Sequence, residues 1–279
     1  MIRENARYGT IATSGITFTN VDVKGKPRLK LTPEKSIQIQ FSLGSDMMIC
    51  LDDCPHPQAV RDQVVESVQR TVAWAKRCKT EFERQVENRH LLPQQRPRLF
   101  GVIQGGFDQS LRKQCADQLL AIGFDGYGFG GWPLDGDGRL AEEILACTAD
   151  LMSGFKYALG VGSPENIVRC VEMGYQIFDC VLPTRDARHH RLYCFNDPAD
   201  PFAYSFLYIQ DEQYKRDARP LSEWCDCPCC THYSRSYLHH LFDIRDTLAL
   251  RLATMHNLRF YAQLMSNIRQ KLALKKERE

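Results

Sequence analysis

The segment Gln176–Arg188 places one carboxylate close to two arginines in the sequence. A short apolar run ends at Asp179, and a Pro-Thr pair that predicts a turn lies between this residue and Arg185 and Arg188. Because nearby guanidinium groups favour the ionised form of a carboxylate, Asp179 is a candidate nucleophile. The two arginines are candidate phosphate ligands, since the planar guanidinium group matches phosphate oxygens. A surface cluster of salt bridges accounts for the same residues equally well, and the sequence leaves both interpretations open.

A cysteine-rich segment is the second concentration of reactive side chains. It contains Cys225, Cys227 and Cys230 in CxCxxC spacing, and His256 lies 26 positions after Cys230 in a strongly helical region. Three thiolates and one imidazole form a closed tetrahedral zinc site of the structural type. Because such a site keeps no open coordination position, the zinc is predicted to stabilise the fold and not to act in catalysis.

Neighbouring residues compete with this ligand set. Cys229 could replace Cys230, and His256 could be replaced by one of three other histidines: His232, His239 and His240. A redox-active or oxidised cysteine cluster is the alternative to a metal, and it fits less well in a reducing compartment. The sequence therefore supports a metal more firmly than it supports one particular set of ligands.

The composition is that of a globular protein. The chain has 279 residues, of which 43% are hydrophobic and 25% are charged, and its net charge of +2 creates no overall field that demands a polyanionic partner. No apolar segment suits a signal peptide or a membrane span, so we expect a cytoplasmic protein without a membrane partner. The twelve cysteines are then expected as thiols or metal ligands, with the eight outside residues 225–230 acting as small buried hydrophobic residues.

Short apolar runs alternate with helical patterns along most of the chain. The runs predict strands at residues 47–51, 99–103, 127–129, 157–159 and 177–181. Helices are predicted from Thr32-Pro33-Glu34 onward, at about 61–86, 109–122 and 140–152, from Ser163 onward, and over residues 234–275. Continuously apolar strands that alternate with helices indicate a parallel sheet buried on both faces. No GxGxxG fingerprint of a doubly wound sheet follows the first strand, so we predict an α/β fold of the (β/α)8 TIM-barrel type.

Polar residues and glycines follow the predicted strands, where parallel sheets bind their ligands. Guanine presents two N–H donors on one edge, with the O6 acceptor beside them. Asp52 could accept from both donors and Gln104 could donate to O6 or N7, while Gly131 would let a backbone N–H approach the same edge. Each residue alone also has an ordinary structural explanation, such as loop capping by Asp52 or a tight turn at Gly131.

Several long motifs together resemble the tRNA-guanine transglycosylases, or queuine tRNA-ribosyltransferases. The resemblance runs from about residue 30 to residue 270 and is highly specific, because the motifs occur in one order along the chain. The motifs are Leu51-Asp52-Asp53-Cys54, Gly101-Val102-Ile103-Gln104-Gly105-Gly106, Gly123–Tyr127 with Gly130-Gly131, Gly160-Val161-Gly162, Phe178–Arg185, the CxCxxC segment and His256-Asn257-Leu258-Arg259.

The resemblance implies an irregular (β/α)8 barrel with a zinc-binding insertion. It implies exchange of guanine at the wobble position of the tRNA anticodon for a 7-deazaguanine, preQ1 or queuine, on the path to queuosine. Asp179 would attack C1′ of the ribose and form a covalent ribosyl-enzyme intermediate. The remaining implied roles are base recognition by Asp52, Gln104 and Gly131, tRNA binding by Arg185 and Arg188, and structural zinc binding by Cys225, Cys227, Cys230 and His256.

The sequence departs from the family pattern in two places. The family's Asp-Ser-Gly-Gly-Phe-Gln segment, which supplies a general acid/base aspartate, does not occur here, and only five strand-helix units are clear where a closed barrel has eight. We therefore expect an N-terminally incomplete barrel at residues 1–195, followed by a zinc-binding subdomain and C-terminal helices at residues 196–279. After Gly131 the chain has Trp132-Pro133-Leu134-Asp135-Gly136 where the family commonly has Leu-Ala-Val-Gly-Glu, so preQ1 and queuine both stay open.

Three functions fit this sequence. The first is an active transglycosylase, a pentosyltransferase whose partners are tRNA and a 7-deazaguanine base, working as a homodimer or with a complementing chain. The second is a noncatalytic or truncated subunit of such an enzyme. The third is a zinc-stabilised tRNA-binding protein without transferase activity.

Overall fold

A computed structural model describes residues 9–19, 25, 28–197, 200 and 203–276 of the chain. The chain divides into two compact units. The first unit contains Met1–Gly160 and Cys170–Phe178, and the second contains Val161–Arg169 and Asp179–Glu279. The two units are compact regions of the chain and are not assigned by function. The predicted division into a barrel at residues 1–195 and a zinc-binding region at residues 196–279 stays a prediction.

The first unit begins with a small antiparallel sheet and continues with strands and helices in alternation. The antiparallel strands, in the order β1-β2-β3, are Gly9–Ala12, Gly15–Thr19 and Arg28–Leu31. The later strands are β4 (Met47–Ile49), β5 (Arg98–Ile103), β6 (Gly126–Phe129), β7 (Phe155–Ala158) and β8 (Ile177–Phe178). The helices of this unit are α1 (Pro33–Leu43), α2 (Arg61–Asn88), α3 (Gln109–Ile122) and α4 (Glu142–Leu151). Helix α5 (Pro164–Glu172) lies between β7 and β8 in the chain, and its residues 164–169 belong to the second unit.

Strands β4 to β8 form one parallel sheet in which each strand pairs with the next strand of the chain. A doubly wound sheet reverses its strand order at a switch point, whereas a barrel adds strands in one direction. The uninterrupted order β4-β5-β6-β7-β8 is therefore that of a (β/α) barrel, and the five strands correspond to a half-barrel. This confirms the predicted fold class.

The central strands of the sheet are buried. Residues 99–103 of β5 and all four residues of β6 are buried, as expected for parallel strands that have both faces covered. The largest buried side chains around the sheet include Trp74, Phe82, Phe100, Tyr127 and Phe129. A polar side chain at the end of one of these strands is therefore held by a well-packed backbone.

Local sequence signals set the helix ends as predicted. The Thr32 hydroxyl accepts a hydrogen bond from the Lys35 amide at 3.2 Å, Pro33 occupies the first turn of α1, and Gly44 ends the helix with φ of 70°. Asp108 caps α3 in the same way by accepting from the Leu111 amide at 3.1 Å. The predicted helix start at Thr32 is confirmed.

The second unit is built around a hairpin and four helices. Its elements are α6 (Leu182–Arg188), β9 (Arg191–Phe195), β10 (Tyr204–Tyr208), α7 (Pro228–His232), α8 (Arg235–Asp243) and α9 (Thr247–Lys276). The predicted helical region 234–275 is confirmed as α8 and α9. The predicted Pro-Thr turn is wrong, because Pro183 and Thr184 lie in the first turn of α6, a position where proline fits a helix.

The prediction for the eight scattered cysteines holds for five of them. Cys54 is exposed, and Cys147 and Cys180 are half-buried. The remaining five are buried: Cys50, Cys78, Cys115, Cys170 and Cys194. Cys54 differs because it lies in the irregular segment after β4, where no helix covers it. Among the described residues, no helix has the length and the apolar character that crossing a membrane requires.

Glu81 of α2 provides a test of how the first unit responds to acid. The pKa of this buried carboxyl is lowered to about 2, mainly by hydrogen bonds from Arg84, with Gln85 and Gln38 of α1 also donating. Its ordinary value is 4.5, so its contribution to stability is complete above that pH and is lost as the pH falls towards 2. We expect Glu81→Gln to lower the free energy of unfolding by about 1–2 kcal/mol at neutral pH, allowing for the solvent exposure of Arg84.

The measurement is urea unfolding from about pH 7 to about pH 2.5. The difference between wild type and Glu81→Gln should shrink as the pH falls below 4.5, because the wild-type carboxylate becomes protonated while its arginine partner stays charged. Glu83→Gln is the matched control, since Glu83 lies on the same helix but is half exposed. A difference that does not change with pH would contradict the assigned role of Glu81.

Candidate functional site

The predicted base-recognition residues meet at the carboxyl ends of β4, β5 and β6. Asp52 lies three residues after β4, Gln104 directly follows β5, and Gly131 follows β6 by two residues. The Gln104 Nε2 atom donates a hydrogen bond to Asp52 Oδ2 at 2.6 Å. A Cβ atom placed on Gly131 would lie 3.7 Å from Gln104 Oε1. The three residues are therefore neighbours, although 79 positions separate the first from the last.

The structure distinguishes two adjacent carboxylates that the sequence treats alike. Asp53 is buried, its carboxylate pairs with the Arg70 guanidinium, and its amide donates to the Thr71 hydroxyl at 3.0 Å. Asp52 is half-buried and takes its hydrogen bond from Gln104. Burial raises the pKa of the Asp52 carboxyl, while the bond from Gln104 acts in the opposite direction. Asp53 thus anchors the segment, and Asp52 is the carboxylate available at the sheet edge.

Two glycines shape the space beside Gln104. A Cβ atom at Gly130 would lie 2.5 Å from Gln104 Nε2 and 2.7 Å from Val102 Cγ1, so a larger residue there would displace the amide. Gly131 has φ of 105°, a backbone conformation that other residues rarely adopt. Glycine at Gly130 therefore leaves room for the Gln104 side chain, and glycine at Gly131 permits the positive φ beside it.

One hydrogen-bonding side-chain atom at this edge has no partner among the described residues, the buried Gln104 Oε1 atom. Buried polar groups are normally paired, because a missing hydrogen bond costs about 1–3 kcal/mol. A ligand that presents a donor to this edge could complete the pairing of Gln104.

Arg112 is the residue of this site that sequence reasoning missed. It lies on α3 with 1% of its surface exposed, and its guanidinium donates to the carbonyl oxygens of Gly106 at 2.8 Å, Gly130 at 3.0 Å and Ile103 at 3.2 Å. Burial lowers the pKa of this guanidinium to about 10, so it remains charged at neutral pH. Arg112 forms no ion pair with the described residues, and it holds the segments after β5 and β6 at one distance. In the sequence Arg112 stands beside Lys113 in a mostly polar stretch, so nothing distinguishes it from a charged residue on an exposed helix face.

The predicted nucleophile and the predicted tRNA-binding arginines belong to the second unit. Asp179 is exposed and precedes α6 by three residues, and Arg185 and Arg188 are exposed on α6 itself. The two arginines are three residues apart, so they lie on one side of the helix about one turn apart. The placement of Asp179 relative to Asp52 and Gln104 stays a prediction.

The opposite side of α6 is fixed by a buried carboxylate. Asp186 is 4% exposed, accepts from Arg191 Nη2 at 2.8 Å, and accepts from the Tyr193 hydroxyl at 2.5 Å. The Arg185 Nε atom lies 4.0 Å from Asp186 Oδ1. Sequence reasoning attached the arginines to Asp179 and overlooked Asp186, which ties the helix to β9.

The second unit also gathers four possible metal ligands. The Sγ atoms of the three cysteines and one ring nitrogen of the histidine all lie within 4.8 Å of one another and are buried: Cys225, Cys227, Cys230 and His256. The four residues come from the segment before and within α7 and from the middle of α9. They form the one group of this kind among the described residues, and it could hold a metal ion.

The histidine orientation fits a metal. The His256 Nε2 atom lies 2.8 Å from the Tyr193 carbonyl oxygen, to which it donates, so Nδ1 carries the lone pair. Nδ1 lies 3.2 Å from Cys230 Sγ and 3.7 Å from Cys227 Sγ, on the side of the thiols. A hydrogen bond that fixes the other ring nitrogen is the usual arrangement around a metal-binding histidine.

The competing residues lie outside this group. Cys229 is buried, but its thiol is not among the four ligand atoms that lie within 4.8 Å of one another. His239 is buried beside Asp243, whose carboxylate lies 3.2 Å from its Nδ1 atom. His232 and His240 are exposed. The donor set of three thiols and one imidazole suits tetrahedral zinc.

The parallel barrel sheet and the buried Cys3His group define an α/β-barrel protein with a group of residues that could hold a metal ion. The chain belongs to the queuine tRNA-ribosyltransferase family, whose model matches residues 5–277. This confirms the resemblance that the sequence motifs indicated.

The chain is also similar to individual proteins that carry the name of this family. The chain is 40% identical over 250 residues to a queuine tRNA-ribosyltransferase of Methylacidiphilum infernorum, covering 88% of this chain and 63% of the relative. It is 39% identical over 269 residues to one of Novosphingobium aromaticivorans, covering 94% and 67%, and 39% identical over 261 residues to one of Mannheimia succiniciproducens, covering 93% and 64%. The chain thus spans about two thirds of the length of the second of these curated relatives, and less than two thirds of the first and the third.

Proposed function

We propose that this chain is a tRNA-guanine transglycosylase, which replaces guanine at the wobble position of a tRNA anticodon with a 7-deazaguanine, preQ1 or queuine. The observation that carries the proposal is the Asp52–Gln104 pair, joined at 2.6 Å beside Gly131 at the carboxyl end of the sheet. Family membership supports the same activity, since the relatives carry the name queuine tRNA-ribosyltransferase. The product would enter the path to queuosine.

Base recognition would use the groups that are already arranged at the sheet edge. The Asp52 carboxylate would accept from N1–H and the N2 amino group of guanine, and the Gln104 amide would donate to O6 or N7. The Gly131 amide supplies a further donor. Guanine and a 7-deazaguanine share the donor edge, which explains how one site would hold the leaving base and then the incoming base.

Asp179 would be the nucleophile. One of its oxygens would form a bond to C1′ of the ribose while the bond from C1′ to the guanine nitrogen breaks and its electron pair leaves with the base. The departed guanine would take up a proton from solvent. The incoming base would then lose the proton of its glycosidic nitrogen, form its own bond to C1′ and release the carboxylate, so the two displacements restore the enzyme. A carboxylate that follows the last strand of the sheet is suited to this role because it lies outside the packed core.

Arg185 and Arg188 would hold the phosphates next to the target nucleotide. The two side chains lie about one helical turn apart on one side of α6, so both can donate to phosphates on that side. Arginine binds phosphate oxygens through parallel hydrogen bonds. The target guanine lies in a single-stranded loop, so moving it out of the stack costs less than it would in a duplex. The proposed zinc ion would stabilise the second unit through four ligands: Cys225, Cys227, Cys230 and His256.

Release of labelled guanine tests the proposed function. The purified chain is incubated with tRNA that carries labelled guanine at the wobble position, with preQ1 and with queuine in separate reactions. Release that requires one of these bases supports the proposal and identifies the incoming base. We place the reaction in the cytoplasm and expect a homodimer or a pair with a complementing chain. Binding of tRNA without release, alone and with that complementing chain, would identify a zinc-stabilised tRNA-binding protein instead.

Asp52 gives this proposal a pH-dependent prediction. Because burial raises the pKa of its carboxyl, the ionised form that accepts from guanine is lost at a higher pH than for an ordinary aspartate. We expect guanine affinity to fall as the pH decreases through the acid range, and to begin falling at a higher pH than an ordinary aspartate would cause. We expect Asp52→Asn to weaken binding by on the order of 10²-fold and to remove the pH dependence, since the amide presents a donor to a donor edge.

Calorimetric titration of the chain with guanine measures both effects. Asp117→Asn is the control, because Asp117 is exposed and pairs with Lys113 on the surface of α3. Equal guanine affinity in wild type and Asp52→Asn would remove this residue from the base site.

A further inference from the structure

Asn257 of α9 is a buried polar residue without a role in the reaction described above. None of its surface is exposed. Its Nδ2 group donates to the carbonyl oxygens of Pro183 and Arg191, each at 3.0 Å, and its Oδ1 atom accepts from the Tyr193 amide at 3.1 Å. Both donor hydrogens and an acceptor site of this one side chain are therefore used on the backbone of α6 and β9.

His256, the residue before Asn257, also bonds to Tyr193. Its Nε2 atom donates to the Tyr193 carbonyl oxygen at 2.8 Å, while Asn257 accepts from the Tyr193 amide, so both backbone polar groups of Tyr193 are bonded to α9. The Tyr193 hydroxyl in turn donates to Asp186 of α6. Helix α6 is thus attached at two points, through the Pro183 carbonyl and through the Asp186 carboxylate.

These attachments matter because α6 is short. It has seven residues, and helices of fewer than about 12 residues are only marginally stable by themselves in water. Its outer side carries Arg185 and Arg188, and Asp179 precedes it by three residues. The direction in which these three side chains point therefore depends on the contacts that hold α6 to β9 and α9.

We infer that Asn257 is a positioning residue that fixes α6, and with it Asp179, Arg185 and Arg188, for the anticodon segment of tRNA. This inference rests on the proposed transferase function for the identity of the ligand. The attachment of α6 is independent of that function, because it consists of hydrogen bonds within the protein. His256 and Asn257 are consecutive residues in one turn of α9. In that turn His256 belongs to the Cys3His group, and Asn257 bonds to the β9 backbone.

Hydrogen–deuterium exchange of the full chain tests the inference directly. The backbone amides of Arg185 and His189 are bonded to the carbonyl oxygens of Val181 at 2.8 Å and Arg185 at 3.1 Å, so they report the integrity of α6. In Asn257→Ala we expect these amides to exchange at least about 10-fold faster, because three hydrogen bonds are lost at once. Amides of α8 and the bound zinc, about one equivalent, should stay as in wild type.

Gln263→Ala is the matched control. Gln263 also lies on α9 and donates from its amide to a backbone carbonyl, that of Trp224 at 3.0 Å, which is not part of α6. Its removal should leave exchange in α6 unchanged. In Asn257→Ala the kcat/KM for guanine release should fall by about 10- to 100-fold, whereas affinity for free guanine should stay as in wild type, because the base-edge residues are untouched.

The outcomes separate this inference from the proposed function. Unchanged exchange in α6 of Asn257→Ala would overturn the inference even if the wild type is an active transferase. Faster exchange in α6 would support the attachment even if the wild type releases no guanine, in which case the proposed function has failed and α6 has another ligand. If Asn257→Ala does not fold, Asn257→Asp is used, since it keeps the acceptor for the Tyr193 amide. Failure of both variants to fold would refute a local positioning role.

Discussion

Replacing Asp179 with Asn is expected to abolish the denaturation-resistant adduct between the protein and tRNA and to reduce guanine release by on the order of 10⁴-fold. The neutral amide is a far weaker nucleophile than a carboxylate, and the displacement at C1′ depends on a bond from this side chain. The amide has nearly the same size, so the fold and the affinity for tRNA should remain close to wild type. Denaturing gels detect the adduct, and filter binding measures the affinity.

The control for this variant is Asp211→Asn. Asp211 is an exposed aspartate in the same unit and lies outside the residues proposed to bind tRNA. It should form the adduct and release guanine at the wild-type rate. Adduct formation and guanine release that persist in Asp179→Asn would assign the covalent step to a different residue, while the base contacts of Asp52 and Gln104 would still be testable through guanine binding.

Replacing Cys227 with Ala is expected to release about one equivalent of zinc and to destabilise the second unit by several kcal/mol. The thiolate is one of four ligands within 4.8 Å of one another, and metal-binding energy becomes folding energy when the site does not exist in the unfolded chain. Metal analysis of the purified protein and thermal unfolding measure the two effects. Removal of zinc from the wild type by a strong chelator should produce the same loss of stability.

Cys229→Ala is the control for the zinc site. Cys229 is as buried as its neighbours but lies outside the group of four, so this variant should keep its zinc. It should lose only the stability that comes from burying one small side chain, about 1 kcal/mol. Full zinc content in Cys227→Ala, or loss of zinc in Cys229→Ala, would show that the ligand set is wrong.

The local structure was largely predictable from the sequence, because periodicity and capping are local signals. The predicted helix at 109–122 matches α3 at both ends, and Thr32 and Asp108 cap helices through bonds to amides three residues later. The predicted strands were correctly located because continuously apolar runs are required in a parallel sheet covered by helices. Helix α6 was missed because seven residues around a proline carry too little periodicity to be distinguished from a turn.

The candidate site was predictable only as a set of residue types. Asp52 and Gln104 were identified because each follows a strand, and the carboxyl ends of parallel strands meet at one edge. The sequence could not separate Asp52 from Asp53, since only the contact of Asp53 with Arg70 on α2 shows which carboxylate is the anchor. The sequence could not identify Arg112 either. This residue connects two different loops by donating hydrogen bonds to their backbone carbonyls, and those contacts exist only in the folded chain.

By itself the sequence determined the alternation of strands and helices, the choice of a parallel barrel sheet and the presence of a thiol-rich metal group, because these depend on residue type and short spacing. Only the tertiary structure decided which side chains pair across long separations. The bond from Gln104 to Asp52 spans 52 positions and that from Asn257 to Pro183 spans 74. Such pairs form between segments that are distant in the sequence but adjacent in the fold, and no local sequence pattern predicts which segments these are.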